Sequence, residues 1–108
     1  MSFASIICFL ISSNVSFGSE PYLITLGNDV RVSHGVEFTT HDGGVWVIRH
    51  YMPEYYNVDL MAQIVVGNNV HIGTHCIIMP GVHIGDNVII GSGSIVTRDI
   101  PSGSVAAG

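Results

Sequence analysis

The sequence contains no lysine. Its three basic residues, Arg31, Arg49 and Arg98, stand against eight acidic ones, for a formal net charge of −5. That balance lacks the basic footprint needed to hold nucleic-acid phosphates or an anionic bilayer. Cysteine is scarce: Cys8 and Cys76 lie among apolar neighbours, with no evident secretory signature. They build no disulfide framework and read as buried free thiols. Charged residues make up only 10% of the chain against 47% hydrophobic. This excludes a disordered segment and predicts an oligomer, because one subunit cannot leave that much apolar surface in water.

No apolar run approaches the roughly 20 residues of a membrane-spanning helix. The stretch Ala4 to Ile11, interrupted only by Ser5, has the length of a signal-peptide core. It has neither a basic residue before it nor a small-x-small site after it. Residues 1–14 therefore read as an atypical N-terminal cap, a first strand or helix, and the expected location is the cytoplasm. With 108 residues the chain forms a single domain, 1–108.

What is present is a repeat. From Leu26 the chain reads LGNDVR, VSHGVE, FTTHDG, and from Val66 it reads VGNNVH, IGTHCI, IMPGVH, IGDNVI, IGSGSI, VTRDIP. The first position of these nine hexads is always a large apolar residue: Leu26, Val32, Phe38, Val66, Ile72, Ile78, Ile84, Ile90 and Val96. The fifth is Val30, Val36, Asp42, Val70, Cys76, Val82, Val88, Ser94 and Ile100, mostly small or β-branched, as a second inward position of a short strand requires. Asp42 breaks that rule. The fourth position is Gly, Asn, Asp or His throughout, the residues that tolerate positive φ, and so marks a recurrent left-handed corner.

Short strand, corner, short strand describes a parallel β-solenoid. Three hexads close a triangular coil of 18 residues in which residue i sits over i+18. Antiparallel hairpins would instead alternate with period two and turn every 8 to 12 residues. Periodicity does not set the hand of the coil, and general crossover rules favour the right.

From Phe38 to Val66 is 28 residues, one hexad plus an insertion of about 22. A connection of that length is usually functional or disordered, and an aromatic-rich one is not of disordered composition. It holds Trp46, Tyr51, Tyr55 and Tyr56, so residues 43–64 are expected to form a protruding loop packed on a neighbouring subunit.

THDGGVW at Thr40 to Trp46 and VGNNVHIGTHCIIMPGVHIGDNVIIGSGSIVTRDIPSGSVAAG at Val66 to Gly108 resemble the hexapeptide-repeat acyltransferases, in particular the branch of the bacterial galactoside and maltose O-acetyltransferases. The resemblance runs from Leu26 to Gly108. It implies an all-β, left-handed parallel β-helix and a homotrimer with active sites between subunits. It also implies acetyl transfer from acetyl-CoA, as co-substrate and without a metal, to a sugar hydroxyl or another small-molecule acceptor.

The same resemblance puts the catalytic base on His41, a corner residue that begins the insertion, and histidine is the side chain suited to proton transfer near neutral pH. Its ring needs an orienting partner. Glu20, Asp42 and a main-chain carbonyl are the candidates, Asp42 because a broken pattern often marks a site. Glu20 also lies near the position where relatives place acceptor-binding carboxylates, and Trp46 could stack on a sugar or pack an interface.

CoA contacts are implied at Thr74, Ser92, Thr97 and Arg98, with the Thr74 amide as oxyanion donor and Arg98 as a phosphate contact. If the insertion keeps phase, His41 shares an edge with Gly81 and Asp99, not with Thr74 and Ser92, so one subunit supplies the base and another the donor groove. Relatives of this kind continue beyond Val105 to Gly108 with a short basic tail and carry a helical region before the coils. This sequence departs from them at both ends, as a shortened chain would.

Two other readings compete. A non-catalytic β-helix acting as an assembly module would differ by loss of the base, and His41 is present. A γ-type carbonic anhydrase sets zinc with three histidines at subunit interfaces, and His34, His41, His71, His75 and His83 supply imidazoles. However, His71 and His83 are 12 residues apart, on different faces of one coil, and neither spacing nor surrounding motif matches that family.

Overall fold

A computed structural model describes residues 9–41, 51 and 62–108. Among them run eleven strands of two or three residues: β1 (Phe9–Ile11), β2 (Ile24–Leu26), β3 (Val30–Val32), β4 (Glu37–Phe38), β5 (Ile64–Val66), β6 (Val70–Ile72), β7 (Ile77–Ile78), β8 (His83–Ile84), β9 (Val88–Ile90), β10 (Ile95–Val96) and β11 (Val105–Ala106). All pair in parallel in three sheets, ordered β1-β3-β6-β9-β11, β4-β7-β10 and β2-β5-β8. These are the first, second and third faces of a triangular prism, and the architecture is the left-handed parallel β-helix.

The hexads explain the strands. A three-residue strand occupies positions five, six and one, so its outer two side chains point inward and the middle one outward. Val30 and Val32 are buried around exposed Arg31, and Val70 and Ile72 around exposed His71. All eight described fifth-position residues are buried, Cys76 and Ser94 included, as are eight of the nine first-position residues. Leu26, half-buried, packs against them. Cys76 is a buried free thiol, whereas Cys8 lies outside the described residues.

The fourth-position corners are left-handed at Asp29, Gly35, Asn69, His75, Gly81, Asn87 and Gly93. Around the edge between the third and first faces, third-position side chains lace successive coils. The amides of Asn28, Asn68 and Asp86 donate to Asn68 Oδ1, Asp86 Oδ1 and Ser102 Oγ at 2.7, 2.6 and 2.8 Å.

Val70 pairs with Val88 and Ile77 with Ile95, the expected offset of 18. Ile24 pairs with Ile64 and Glu37 with Ile77, an offset of 40, which is 18 plus the insertion of 22. The strand β5 begins at Ile64, so the coil has resumed by the last residue assigned to the protruding loop. The rest of that loop, apart from Tyr51, Ala62 and Gln63, lies outside the described residues. So do residues 1–8 of the expected cap, whose remainder includes β1.

Two coils depart from the hexad frame. In the first, Phe9 pairs with Val30 and Ser16 bridges Glu37, an offset of 21. In the last, Ile84 bridges Ile100 and Ile89 pairs with Val105, an offset of 16. Ile100 therefore lies over Ile84 in the first-position column and not in the fifth. Asp99 correspondingly lies over His83, whose amide donates to Asp99 Oδ1 at 2.8 Å, and not over Gly81. The corner in VTRDIP is two residues short, and Asp99 accordingly has no left-handed φ. All three changes of length, three residues gained, 22 gained and two lost, fall on one edge, between the second and third faces. The other two edges keep constant length throughout.

Candidate active site

His41 stands on that edge of variable length. The three extra residues of the first coil supply its surroundings. The Ser16 amide donates to the Val36 carbonyl at 2.9 Å, the Phe38 amide donates to the Ser16 carbonyl at 2.8 Å, and the Phe17 ring stacks on Phe38 at 5.2 Å. At Gly18 the backbone turns with φ +71, and a Cβ there would lie 3.0 Å from the Phe38 carbonyl oxygen. Pro21, with its fixed φ, then opens a single 3-10 turn, Pro21–Leu23, and leaves Glu20 at its N-cap.

The Glu20 carboxylate faces back over the corner. Thr40 Oγ1 donates to Glu20 Oε2 at 2.9 Å, and His41 Nδ1 lies 3.8 Å from Glu20 Oε1. Thr40 is 1% exposed, while His41 keeps 39% of its side chain open against 15% for Glu20. The imidazole thus has a carboxylate near its Nδ1 and is partly exposed. Beside it is a cleft of about 190 Å³ lined by Ser16, Ser19, Glu20, Glu37, Thr39 and His41.

Of the three candidate partners for the His41 ring, the structure brings Glu20 to it. Asp42 and Trp46 lie outside the described residues. Thr74 and Ser92 come together on the next edge, between the first and second faces, where the Thr74 amide donates to Ser92 Oγ at 3.1 Å. Thr97 and Arg98 do not join them. Both are exposed at the short corner of the last coil, on the same edge as His41, beside a depression that also takes in Ala107 and Gly108. The expected separation of His41 from Thr74 and Ser92 is present, with the narrow second face between them. Sharing of its edge with Gly81 also holds, and only Asp99 is displaced.

Among the described residues no three His, Cys, Asp or Glu side chains are grouped to hold a metal ion. His71 and His83 point outward from different faces, on β6 and β8. His34 and His75 meet edge to face at 5.4 Å, with His34 Nδ1 bonded to Ser13 Oγ at 2.8 Å. Also among the described residues, no helix is long and apolar enough to cross a membrane.

The model of the bacterial transferase hexapeptide family (six repeats) matches residues 63–98. The chain belongs to the hexapeptide-repeat family. It is 51% identical over 100 residues to protein CapG of Staphylococcus aureus, covering 93% of this chain and 56% of that protein. It is 43% identical over 89 residues to galactoside O-acetyltransferase of Escherichia coli K12, covering 82% of this chain and 42% of that enzyme. Among solved structures, a maltose O-acetyltransferase from Clostridium difficile 630 superposes with a TM-score of 0.68 at 27% identity, over 93% of this chain and 62% of the other. A galactoside acetyltransferase in complex with coenzyme A gives 0.62 at 29% identity, over 96% and 62%. The likeness to the galactoside and maltose branch is thus found in both sequence and structure, and the chain spans about half the length of the curated relatives it matches.

One residue of this candidate site has no signal in the sequence. Thr40 occupies a third position, where the other described side chains are exposed or half-buried, and nothing in FTTHDG distinguishes it. Its burial arises from Gly18 to Glu20, a segment outside the repeat.

Proposed function

We propose that this chain is an acetyl-CoA-dependent O-acetyltransferase acting on a sugar or polysaccharide hydroxyl, with His41 as general base. The observation that carries this reading is the Glu20–His41 arrangement: a partly exposed imidazole with a carboxylate 3.8 Å from its Nδ1 and a polar cleft lined by both residues. A proton on Nδ1, facing Glu20, leaves Nε2 able to accept one.

In this scheme Nε2 takes the acceptor hydroxyl proton as that oxygen attacks the acetyl carbonyl. The tetrahedral oxyanion then expels CoA as a thiolate, which recovers the proton from the imidazolium. No acyl-enzyme intermediate and no metal enters the scheme. The Thr74 amide supplies the oxyanion donor, which requires Ser92 Oγ to turn away from it. Ser92 lies along the pantetheine arm, and Thr97 and Arg98 meet the donor phosphates. Asp42, next in sequence to the base, is kept as a second candidate for orienting it and Trp46 as a candidate acceptor contact, both outside the described residues.

Because His41 and Thr74 stand on different edges, the complete site is read as the junction of two subunits in a homotrimer. Support comes from the first face, where Leu10, Arg31, His71, Ile89 and Val105 form one outward row. Ile89 and Val105, adjacent in that row, are 52% and 79% exposed and Leu10 at its other end is 63% exposed, apolar side chains suited to burial against a second copy. Acetyl-CoA is available in the cytoplasm, where we place the protein.

The test is thioester loss from acetyl-CoA across a panel of sugars, with His41→Ala beside the native chain after both are shown to be trimers. The expected result is acceptor-dependent turnover that falls by about 100-fold or more in the variant. Turnover unchanged by the substitution removes His41 from the chemistry. A trimer that neither binds CoA nor turns over any acceptor is the non-catalytic assembly module.

A further inference from the structure

We propose that Thr40 is a positioning residue, which sets the tautomer of His41 by fixing the carboxylate of Glu20. The proposal rests on the acetyl-transfer reading above. Three third-position residues elsewhere, Asn68, Asp86 and Ser92, accept an amide from an adjacent coil. Thr40 instead donates its hydroxyl to Glu20 Oε2 at 2.9 Å, from a site 1% exposed. A hydrogen bond to an ionised acceptor is about twice as strong as a neutral one. This one anchors one oxygen of a carboxylate whose other oxygen lies 3.8 Å from His41 Nδ1.

The geometry gives the hydroxyl a specific task. A glutamate has three side-chain torsions, and a contact of 3.8 Å with an imidazole does not by itself define the plane of its carboxylate. With Oε2 tied to Thr40, the carboxylate plane is defined and Oε1 is directed to the ring. The Nδ1–H form of the neutral imidazole is then favoured, which makes Nε2 the basic nitrogen. The positioning is economical in sequence, since Thr40 adjoins the base and the same corner aims both side chains. Thr40 itself touches no reacting atom.

Thr40→Val preserves shape and removes the donor, and Thr40→Ser restores it. In the full chain, with acetyl-CoA and the acceptor identified in the panel, Thr40→Val is expected to lower kcat roughly tenfold. Both KM values should stay within about twofold, and Thr40→Ser should recover most of the loss. Nitrogen-15 NMR of neutral His41 should show the Nδ1–H tautomer dominant in the native chain, diminished in Thr40→Val and regained in Thr40→Ser.

Native kcat and native tautomer in Thr40→Val overturn the proposal. A loss of kcat with an unchanged tautomer, or one that serine does not restore, overturns it in favour of simple packing. If Thr40→Val does not assemble, Thr40→Cys, with a weak donor, is read in the same way. If His41→Ala proves as active as the native chain, the acetyl-transfer reading fails separately. The tautomer measurement then decides alone: a shift in Thr40→Val upholds the role of Thr40, and none overturns it.

Discussion

Gly73 passes so close beneath Ser92 that a Cβ on it would lie 2.5 Å from the Ser92 amide nitrogen and 2.8 Å from the Ile90 carbonyl oxygen. Both obstacles are backbone, so neither can rotate away. Gly73→Ala should therefore force two coils apart at the Thr74 edge and strain the 2.9 Å bond from the Gly73 amide to the Ile90 carbonyl. A cost of about 1–3 kcal/mol is expected. Gly91→Ala is the control, because its nearest non-neighbouring atom, Ala107 Cβ, would be 3.4 Å away. Urea denaturation of both variants checks this, and equal midpoints would refute the packing argument.

The left-handed corners make a second expectation. Asn87 has φ 56 and its Oδ1 accepts from Asn69 Nδ2 at 2.8 Å. Asn87→Gly removes a side-chain hydrogen bond but relieves the backbone, so its net effect should be within about 0.5 kcal/mol. Asn87→Val carries a β-branched residue into the same conformation and should cost roughly 1–2 kcal/mol or more. Thermal unfolding that ranks valine level with glycine would mean that the corner changes its conformation on substitution.

Glu20 has two roles open to it, and kinetics separates them. Held against Thr40 and His41, it should act on the chemical step, so Glu20→Gln is expected to lower kcat about tenfold and leave the acceptor KM within about twofold. A raised acceptor KM with kcat preserved would make Glu20 an acceptor contact, the other role its position in the sequence suggested.

Much of the prism is legible from the hexads because one residue type recurs wherever the backbone makes one demand. The inward columns headed by Val30 and Leu26 and the corners at Asn69, His75 and Asn87 all follow from period six. The short last coil does not. Ile100 is apolar and satisfies the core whether it stands in the fifth column or, two residues earlier in effect, in the first. The available signal was its size: the other apolar fifth-position residues are valine or cysteine, and isoleucine belongs with Ile72, Ile78, Ile84 and Ile90.

The site was partly legible for a different reason. His41 stands out as a corner histidine that opens an insertion, and its separation from Thr74 follows from phase. The selection of Glu20 and the burial of Thr40 depend on how Ser16 to Leu23 folds back across β4. No repeat governs those residues, and the register that places them has an offset of 21, which the frame beginning at Leu26 does not contain.

The confinement of every length change to one edge gives this small protein a division of labour between rigidity and novelty. Two edges act as the spine of the coil, where an added residue would throw every later side chain out of phase. The third is a margin on which segments can be written or erased without disturbing the pages beneath. Segments far apart in the chain, such as Gly18–Leu23 and the corner at Thr97, are drawn up along that one margin. A new specificity can arise there by altering one segment opposite an unchanged neighbour, with the core never consulted.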